Sequence, residues 1–516
     1  MVDSSYEMYR ILTFLYSGKH RLDDSLIKMG ITKTYIYGLG EFGKHVVDLL
    51  SDSGIVHGIS DRNINETQNA NYRNLKNVSI YKVSDIPKDN IPVIVTISRD
   101  FDGIRKQLIS QGIDVSRIIS LHHILLMSKY MLDDKQFPKN IERIKPKEFL
   151  IVGANFSNKG AQAMLFVTVS EIRKKYNNSI VWFLPVDTSA EYKDTNYRMI
   201  ILQDGYCNDS TINEIMPQMD AVIDISGYAL SSMVGFGDTD RMISIIKMAY
   251  DYNTPYVMMP QSFGPFDYPE YKTAELKVLL ESCKVIFARE KKGYDALKKR
   301  FSLNNVVLSN DLVLQSKSID ADNIFINYEK RSIRYQADKD TVALIPNNNL
   351  TLYVEENELL EMYMCIIKHL LQANKKICII SHSEDYLLCK KLYSLYENND
   401  KVAYYDETFT CIEFERFIDK FGFVVASRYH AIVHAYKKYI PCLIIGWADK
   451  YNELADLMLQ SSYLIDVRKD KLDEINTLLD KIEKACRTES KIIANQLKKI
   501  KSTNCFDKMW DYLQEG

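Results

Sequence analysis

The feature that most constrains this chain is a recurring alternation of short apolar runs with amphipathic stretches. In residues 34–63 and again in 149–176, an apolar run leads into a glycine-bearing loop and then into residues with helical spacing. Alternation of this kind predicts parallel sheets with helices on both faces. Polar stretches interrupt the pattern twice, which predicts three α/β units at residues 1–135, 148–318 and 340–516.

The composition narrows the classes of protein further. A chain of 516 residues exceeds one ordinary core, so several domains are expected. The net charge of −2 predicts no nucleic-acid partner, and no apolar run approaches the roughly 20 residues of a membrane span. The nine cysteines form no CxxC pair, which is typical of free thiols in a reducing compartment. We therefore expect a cytoplasmic protein.

A glycine signature opens the first unit. In GLGEFG, Gly38, Gly40 and Gly43 follow an apolar run and precede a helical stretch, and Asp61 ends the next apolar run. This is the context of a Rossmann dinucleotide site, in which the helix N-terminus faces a pyrophosphate. The alternative is a turn kept for packing alone. NAD or another nucleotide is thus a possible ligand of this unit, and no cofactor is required elsewhere.

The corresponding loop of the second unit reads GANFSNKGAQAM, with Gly153 and Gly160 around a polar segment. It is not a phosphate-binding Walker loop, because no Lys-Ser/Thr pair follows the second glycine. The loop can present backbone N–H groups to an anion or a sugar, or it can be a structural turn.

The third unit carries the cluster ASRYHAIVHA at a predicted strand-to-helix turn. Arg428 and His430 combine a permanent cation with a titratable imidazole, which suits an anionic substrate that needs a proton. His434 lies one helical turn further on and is predicted to be a core residue. A zinc protease motif would need glutamate where Ala431 stands, so no metal site is predicted.

Other charged residues also end predicted strands beside the same cleft. Arg289 ends a strand of the second unit, and Lys450 and Glu453 begin a helix of the third. Each alone could be a surface charge. Because ligands bind at the carboxyl ends of parallel strands, the basic side chains of Arg289, Arg428 and Lys450 together indicate an anion site.

The ordered motifs resemble the polysaccharide pyruvyl transferase family over residues 148–460. They are GANFSNKGAQAML, IDISGYALSS, MMPQSFGPF, FARE, SNDLVL, ASRYHAIVHAYKKYIPCLIIGW and KYNEL. The resemblance implies two Rossmann-like lobes arranged like a type B glycosyltransferase. It also implies transfer of the enolpyruvyl carbons of phosphoenolpyruvate to two hydroxyls of a surface-polysaccharide sugar, giving a pyruvate ketal.

That chemistry assigns roles to the candidate residues. His430 is expected to be the general acid that protonates the methylene carbon, and Arg428 to hold the donor's phosphate or carboxylate. The remaining donor-site candidates are Arg289, Lys450 and Ser427, and the acceptor-site candidates are Asn158, Gly160 and Gln261.

Two features depart from the family pattern. Family members often have an acidic residue in the glycine loop where this chain has Lys159 and Gln162, and the first unit lies outside the usual core. A donor or acceptor preference different from the family's is therefore open.

Two other functions remain open. A nucleotide-sugar glycosyltransferase would have the same fold, and its Glu453 would bind the ribose or sugar of the donor. A non-catalytic protein of polysaccharide assembly could bind a sugar or nucleotide. If the acceptor is a lipid-linked oligosaccharide, the lysine-rich KIIANQLKKIKS is a candidate for peripheral contact with the inner membrane face, against the alternative of a solvated helix.

Overall fold

A computed structural model of the chain contains three parallel sheets with helices packed between and around them. This confirms the predicted α/β class with Rossmann-like units. The structure describes residues 4–17, 20–64, 78–97, 99–133, 146–187, 196–202, 209–233, 236–383, 385–405, 409–469 and 474–514. Most of the predicted linker between the first two units lies outside these residues.

The N-terminal unit is built on a five-stranded sheet in the order β3-β2-β1-β4-β5, with every pair parallel. Its strands are β1 Thr34–Tyr37, β2 Val56–Ser60, β3 Ser79–Tyr81, β4 Val93–Val95 and β5 Ile118–Ser120. Its helices are α1 Ser4–Ser17, α2 Leu22–Lys28, α3 Glu41–Leu50, α4 Phe101–Ser110 and α5 Leu121–Asp133.

The middle unit contains a seven-stranded parallel sheet in the order β12-β11-β10-β9-β6-β7-β8. Its strands are β6 Glu148–Val152, β7 Ile180–Leu184, β8 Ile200–Ile201, β9 Ala221–Asp224, β10 Tyr256–Gln261, β11 Val285–Ala288 and β12 Val306–Leu308. Its helices are α6 Lys159–Lys175, α7 Asp209–Ile215, α8 Phe236–Asp251, α9 Glu270–Ser282, α10 Lys291–Phe301 and α11 Leu312–Gln315.

The C-terminal unit contains a six-stranded parallel sheet in the order β15-β14-β13-β16-β17-β18. Its strands are β13 Thr341–Ile345, β14 Lys376–Ile380, β15 Val402–Tyr405, β16 Val424–Ala426, β17 Cys442–Gly446 and β18 Leu464–Asp466. Its helices are α12 Glu356–Gln372, α13 Tyr386–Ser394, α14 Cys411–Ile418, α15 Tyr429–Lys437, α16 Asp449–Leu457 and α17 Ile475–Ile500, and a final helix α18 spans Cys505–Gln514.

The final helix packs on the middle unit, although the sequence analysis assigned it to the third. Trp510 contacts Phe149 and Tyr176 edge-on, and the Cys505 N–H donates to the Gln315 side chain at 2.9 Å. The physical reason is that this helix presents Phe506, Met509 and Trp510 as one apolar face, which the middle sheet buries. The lysine-rich stretch ahead of it is the end of α17, whose apolar face is also buried.

One hydrophobic cluster runs through the middle and C-terminal units, so the two lobes are packed against each other. Helix α6 contacts both α14 and α15 across the junction. The side-chain oxygen of Gln162 accepts from the Cys411 N–H at 2.7 Å. Strand order reverses at β6 in one sheet and at β13 in the other. Ligands of such sheets bind at this switch point, so the two facing loop sets define the place for a site.

Candidate active site

A cleft of about 270 Å³ lies between the loops that follow β6, β9, β13, β16 and β17. It is therefore at the carboxyl ends of the strands of both lobes, where the sequence analysis expected it. Its lining residues are Asn158, Ala161, Met164, Ser226, Gly227, Tyr228, Arg289, Asn347, Asn349, His382, Arg428, Tyr429, His430, Trp447, Lys450 and Tyr451.

The glycine loop brings the N-termini of α6 and α15 together at the cleft. Asn158 caps α6, because its side-chain oxygen accepts from the Gly160 and Ala161 N–H groups at 2.9 and 3.4 Å. A Cβ on Gly160 would lie 2.1 Å from Nδ1 of His430. Glycine is thus required here by close approach, since only a residue without a side chain lets the imidazole rest on the loop.

His430 is mostly buried, and its ring lies among cations. The Nε2 atom is 3.7 Å from the nearest Asp311 oxygen, too far for a hydrogen bond. Burial, Arg289, His434 and Lys450 together hold the pKa of His430 well below its usual value of 6.5. The imidazole is therefore neutral at pH 7 in these surroundings.

Arg428 is fixed in orientation by a buried carboxylate. Its Nε and Nη2 atoms donate to the two oxygens of Asp385 at 2.7 and 2.6 Å, a bidentate pair. Asp385 also accepts from the Asn348 N–H at 2.9 Å, so the loop after β13 and the start of α13 are tied to the same cation. One edge of the guanidinium is thereby held rigidly beside the cleft.

Arg289 is held by three side chains of the middle unit and one ring of the other lobe. It donates to Glu290 at 2.6 Å, Asp311 at 3.2 Å and the Ser262 hydroxyl at 2.6 Å. Its guanidinium carbon lies 4.4 Å from the centre of the Tyr429 ring. Burial acts against the charge, but the two carboxylates raise the pKa of Arg289 overall. This stacked pair divides the cleft from a second cavity of about 170 Å³.

Lys450 lies in a cage of aromatic rings at the start of α16. Its Nζ atom is 5.1 to 5.8 Å from the ring centres of Tyr228, Tyr429, Trp447 and Tyr451. Burial, Arg289 and Arg428 lower the pKa of Lys450 to about 8, and Glu290 opposes them. Within the described part of the chain, no carboxylate forms an ion pair with this ammonium. Among the described side chains Glu290 acts on this cation, but at more than ion-pair distance.

Gly160 and three other predicted site residues of the two lobes lie outside the cleft wall. Ser427 is fully buried, and its hydroxyl shares a hydrogen bond with Tyr363 at 2.8 Å, so it supports the loop from behind. Gln261 is fully buried at the end of β10. Glu453 lines the second cavity, where its carboxylate accepts from the Lys291 N–H at 2.9 Å and caps α10 across the lobes. Burial and Glu290 raise the pKa of Glu453.

A chamber of about 150 Å³ adjoins the cleft on the middle lobe and shares Asn158, Ala161, Ser226 and Tyr228 with it. Its inner end holds Asp224, whose oxygens accept from the Ser226 hydroxyl and the Tyr256 hydroxyl at 2.5 and 2.7 Å. Burial raises the pKa of Asp224 despite these bonds. The predicted acceptor residue Asn158 thus lies at the junction between chamber and cleft, whereas Gly160 lines neither of them.

The glycine signature of the N-terminal unit forms a closed turn. Gly38 has a φ of +97°, and a Cβ on Gly43 would lie 1.8 Å from the Gly38 carbonyl oxygen. The Asp61 carboxylate accepts from the Leu39 and Asn63 N–H groups at 2.6 and 2.9 Å. Gly40 is the N-cap of α3, and Glu41 follows it. Backbone conformation and close packing account for Gly38 and Gly43, and hydrogen bonds for Asp61, whereas a Cβ on Gly40 would meet no atom within 4 Å.

Sequence reasoning missed several residues of the cleft. His382 is buried in its wall, and burial together with His434, Arg428, His430 and Lys159 holds its pKa well below 6.5. Its position just after β14 is the same signal that identified Arg428 after β16. The aromatic cage carried no such signal, because its four rings come from three separate loops.

The described residues contain neither a cluster of metal ligands nor a helix that could span a membrane. No group of three or more His, Cys, Asp or Glu side chains comes together there as a metal site. None of the described helices is both long and apolar enough to cross a membrane.

Comparison with solved structures gives distant similarities. UDP-GlcNAc 2-epimerase from Neisseria meningitidis is 11% identical, with 72% of this chain and 100% of that chain covered and a TM-score of 0.46. A glycosyltransferase from Rickettsia africae ESF-5 is 10% identical, with 72% and 99% covered and a TM-score of 0.45. UDP-GlcNAc 2-epimerase from Methanocaldococcus jannaschii is 11% identical, with 65% and 92% covered and a TM-score of 0.43.

No curated protein matches the sequence. The family model of polysaccharide pyruvyl transferases matches residues 158–450, which is more than half of the chain and spans the glycine loop, Arg428, His430 and Lys450. This confirms the family resemblance seen in the motifs. The chain therefore belongs to the polysaccharide pyruvyl transferase family and is a transferase.

Proposed function

We propose that this protein transfers pyruvate from phosphoenolpyruvate to two hydroxyls of a polysaccharide or precursor sugar, forming a ketal. The observation that carries the proposal is the convergence of Arg428, His430 and the ammonium of Lys450 on one cleft. Phosphoenolpyruvate carries a carboxylate and a phosphate, so its site must supply several positive charges. Family membership makes the sugar the expected acceptor class.

Lys450 and Arg428 are suited to different parts of the donor. The ammonium is a compact cation that forms no ion pair with a described carboxylate, so a bound anion would be its first close counter-charge. The Arg428 guanidinium lines the cleft as a planar cation suited to a carboxylate or phosphate, and its orientation is preset by Asp385. Arg289 is given a secondary role, because three of its five N–H groups donate to Glu290, Asp311 and Ser262 and the two carboxylates offset its charge.

His430 is the proposed general acid. Burial, the largest cause, and the nearby cations depress the pKa of His430, and the donor's negative charge offsets the cations, which raises this pKa and favours a protonated ring as phosphoenolpyruvate binds. The proton of His430 goes to the methylene carbon, while the first sugar hydroxyl bonds to the adjacent carbon and gives its own proton back to His430. The second hydroxyl then attacks the same carbon, phosphate leaves, and the remaining proton goes to phosphate. One pyruvate ketal and one phosphate result.

The adjoining chamber is the proposed acceptor site. Its volume of about 150 Å³ is close to that of one sugar ring, and its polar groups include Asn155, Ser226 and Tyr228. The shared junction at Asn158 and Ala161 would place a sugar held there next to a donor in the cleft. Near Glu453, by contrast, the carboxylate is already engaged by α10, which disfavours the nucleotide-sugar alternative.

A thermal unfolding titration tests the proposal. Phosphoenolpyruvate, pyruvate, inorganic phosphate, UDP-glucose and NAD are compared on the wild-type protein. A specific donor at 100 times its Kd should stabilise by about 2.7 kcal/mol. We expect phosphoenolpyruvate to stabilise the protein by this amount. Pyruvate and phosphate should stabilise it much less, because each carries only one of the two anionic groups of phosphoenolpyruvate. Protection by UDP-glucose without any from phosphoenolpyruvate would contradict the proposal.

A further inference from the structure

The chamber beside the cleft contains a cation that has no role in binding the proposed donor. Arg241, on helix α8, is the only basic residue among the described residues that line this chamber of about 150 Å³. It does not line the cleft, so it lies on a part of the chamber wall that the two cavities do not share. Its side chain is partly exposed. The guanidinium is therefore within reach of a ligand that enters the chamber.

Backbone carbonyls hold this guanidinium in place. Its Nη1 and Nη2 atoms donate to the carbonyl oxygens of Val186 and Pro185, which follow strand β7. These contacts use two of the five N–H groups of an arginine, and the other three have no partner among the described residues. The side chain is thus fixed in orientation while donors remain for a ligand.

The charge of Arg241 is not paired with a carboxylate. Arg289 and Arg428 each form an ion pair with a buried aspartate, whereas Arg241 forms none among the described residues. The acidic residue that lines the chamber, Asp224, accepts from two hydroxyl groups of the protein, and Asp187, which follows the two carbonyls in the chain, does not line the chamber. An arginine stays protonated in proteins. The chamber therefore offers a permanent positive charge without an ionic partner among the described side chains.

We propose that Arg241 makes the acceptor site selective for a sugar that carries a carboxylate or a phosphate. A planar guanidinium binds either group through directed N–H···O bonds. The acceptor hydroxyls would face the donor at the junction near Asn158, and the anionic group would lie against Arg241. The inference rests on the proposed function in one respect, namely that the chamber holds the acceptor. It adds that the acceptor is negatively charged.

Matched sugars separate the effect of the charge from that of the ring. Glucose, glucuronate and glucose 1-phosphate share one ring, and the galactose and mannose series offer the same three forms with other hydroxyl orientations. Titration calorimetry on the full chain measures their affinities without phosphoenolpyruvate. A charge-assisted hydrogen bond strengthens binding about ten- to a hundredfold, so in at least one series an anionic member should bind at least tenfold more tightly than the neutral sugar.

The two anionic members of a series distinguish the two groups that Arg241 could bind. Tighter binding of the hexuronate would identify a carboxylate, and tighter binding of the 1-phosphate would identify a phosphate. Equal affinity of all three members in every series, or no binding of any anionic member at millimolar concentration, would overturn the proposal.

Two cations of helix α8 provide the site control. Arg241→Gln removes the charge in the chamber, and Lys247→Gln removes an exposed charge of the same helix that lines neither the chamber nor the cleft. The preference for the anionic sugar should disappear in Arg241→Gln, with the neutral sugar bound as before, and should persist in Lys247→Gln. A preference that survives Arg241→Gln would place the anion elsewhere. Equal weakening of neutral and anionic sugars would show that Arg241 only holds the loop after β7.

Failure of this inference and failure of the proposed function give different results. The titration contains no donor, so a preference for anionic sugars can be measured even if phosphoenolpyruvate yields no ketal. Ketal formation on neutral sugars together with equal affinities in every series would leave the proposed function standing and overturn the role of Arg241.

Discussion

Replacing Lys450 with methionine should stabilise the protein and at the same time weaken its binding of phosphoenolpyruvate. The surroundings lower the pKa of Lys450 from 10.5 to about 8. At 1.36 kcal/mol per pKa unit, this pKa shift disfavours the charged folded state by about 3 kcal/mol. The figure is an upper value, because the Lys450 side chain is partly exposed to water. Cation–π attraction to the four rings returns about 1–2 kcal/mol. Methionine keeps the apolar contacts, so the net gain at pH 7 is about 1 kcal/mol.

The sign of this effect depends on pH. Lysine is charged in both the folded and the unfolded protein below pH 8, so the full cost of burying the charge is present there. Between pH 8 and 10.5 the folded protein releases the proton first, and the cost disappears. The advantage of Lys450→Met should therefore shrink over that range. For the same reason, phosphoenolpyruvate should bind the wild type less tightly as pH rises through 8.

Thermal unfolding with and without phosphoenolpyruvate measures both effects in one assay. Loss of one charge-assisted contact should weaken donor binding about ten- to a hundredfold. Lys291→Met is the matched control, because Lys291 is exposed, lines the neighbouring cavity and pairs with Asp295. A Lys450→Met protein that is less stable at pH 7 and still fully protected by phosphoenolpyruvate would refute the reasoning.

Two further predictions concern the other parts of the cleft. Gly160→Ala should lower kcat about a hundredfold, because its Cβ displaces the His430 ring, whereas Gly237→Ala, with no atom within 4 Å, should leave kcat unchanged. Steady-state kinetics of both variants would show this, and an unchanged kcat in Gly160→Ala would contradict it. Arg428→Ala should cost about 3–5 kcal/mol in denaturant unfolding, because it leaves the Asp385 charge buried without a partner. Adding Asp385→Asn should restore most of that loss; no recovery would show that the ion pair is not the cause.

The sequence predicted the layout of the site because the layout follows from topology. In parallel sheets the residue after each strand lies at the carboxyl edge, so Arg428 after β16 and Lys450 after β17 had to lie near each other. The glycine loop after β6 was expected at the facing edge for the same reason. These positions depend only on the alternation of apolar runs and helical stretches.

What could not be predicted depends on contacts between distant segments. The pairing of Arg428 with Asp385 and the contact of Gly160 with His430 join residues from different loops or lobes. The side-chain bonds that hold Ser427 behind the wall are likewise invisible in the sequence. The last helix was misplaced because its apolar face indicates burial but does not specify which sheet buries it.

The most direct test of the central claim is to follow the carbon atoms of the donor. Wild-type protein is incubated with [2-¹³C]phosphoenolpyruvate and a panel of sugar acceptors, and the products are examined by ¹³C NMR while phosphate is assayed. The account predicts a new quaternary ketal carbon, one phosphate released per ketal, and loss of both in His430→Gln. An acceptor that gains a sugar from UDP-glucose, with the phosphoenolpyruvate carbon unchanged, would contradict it.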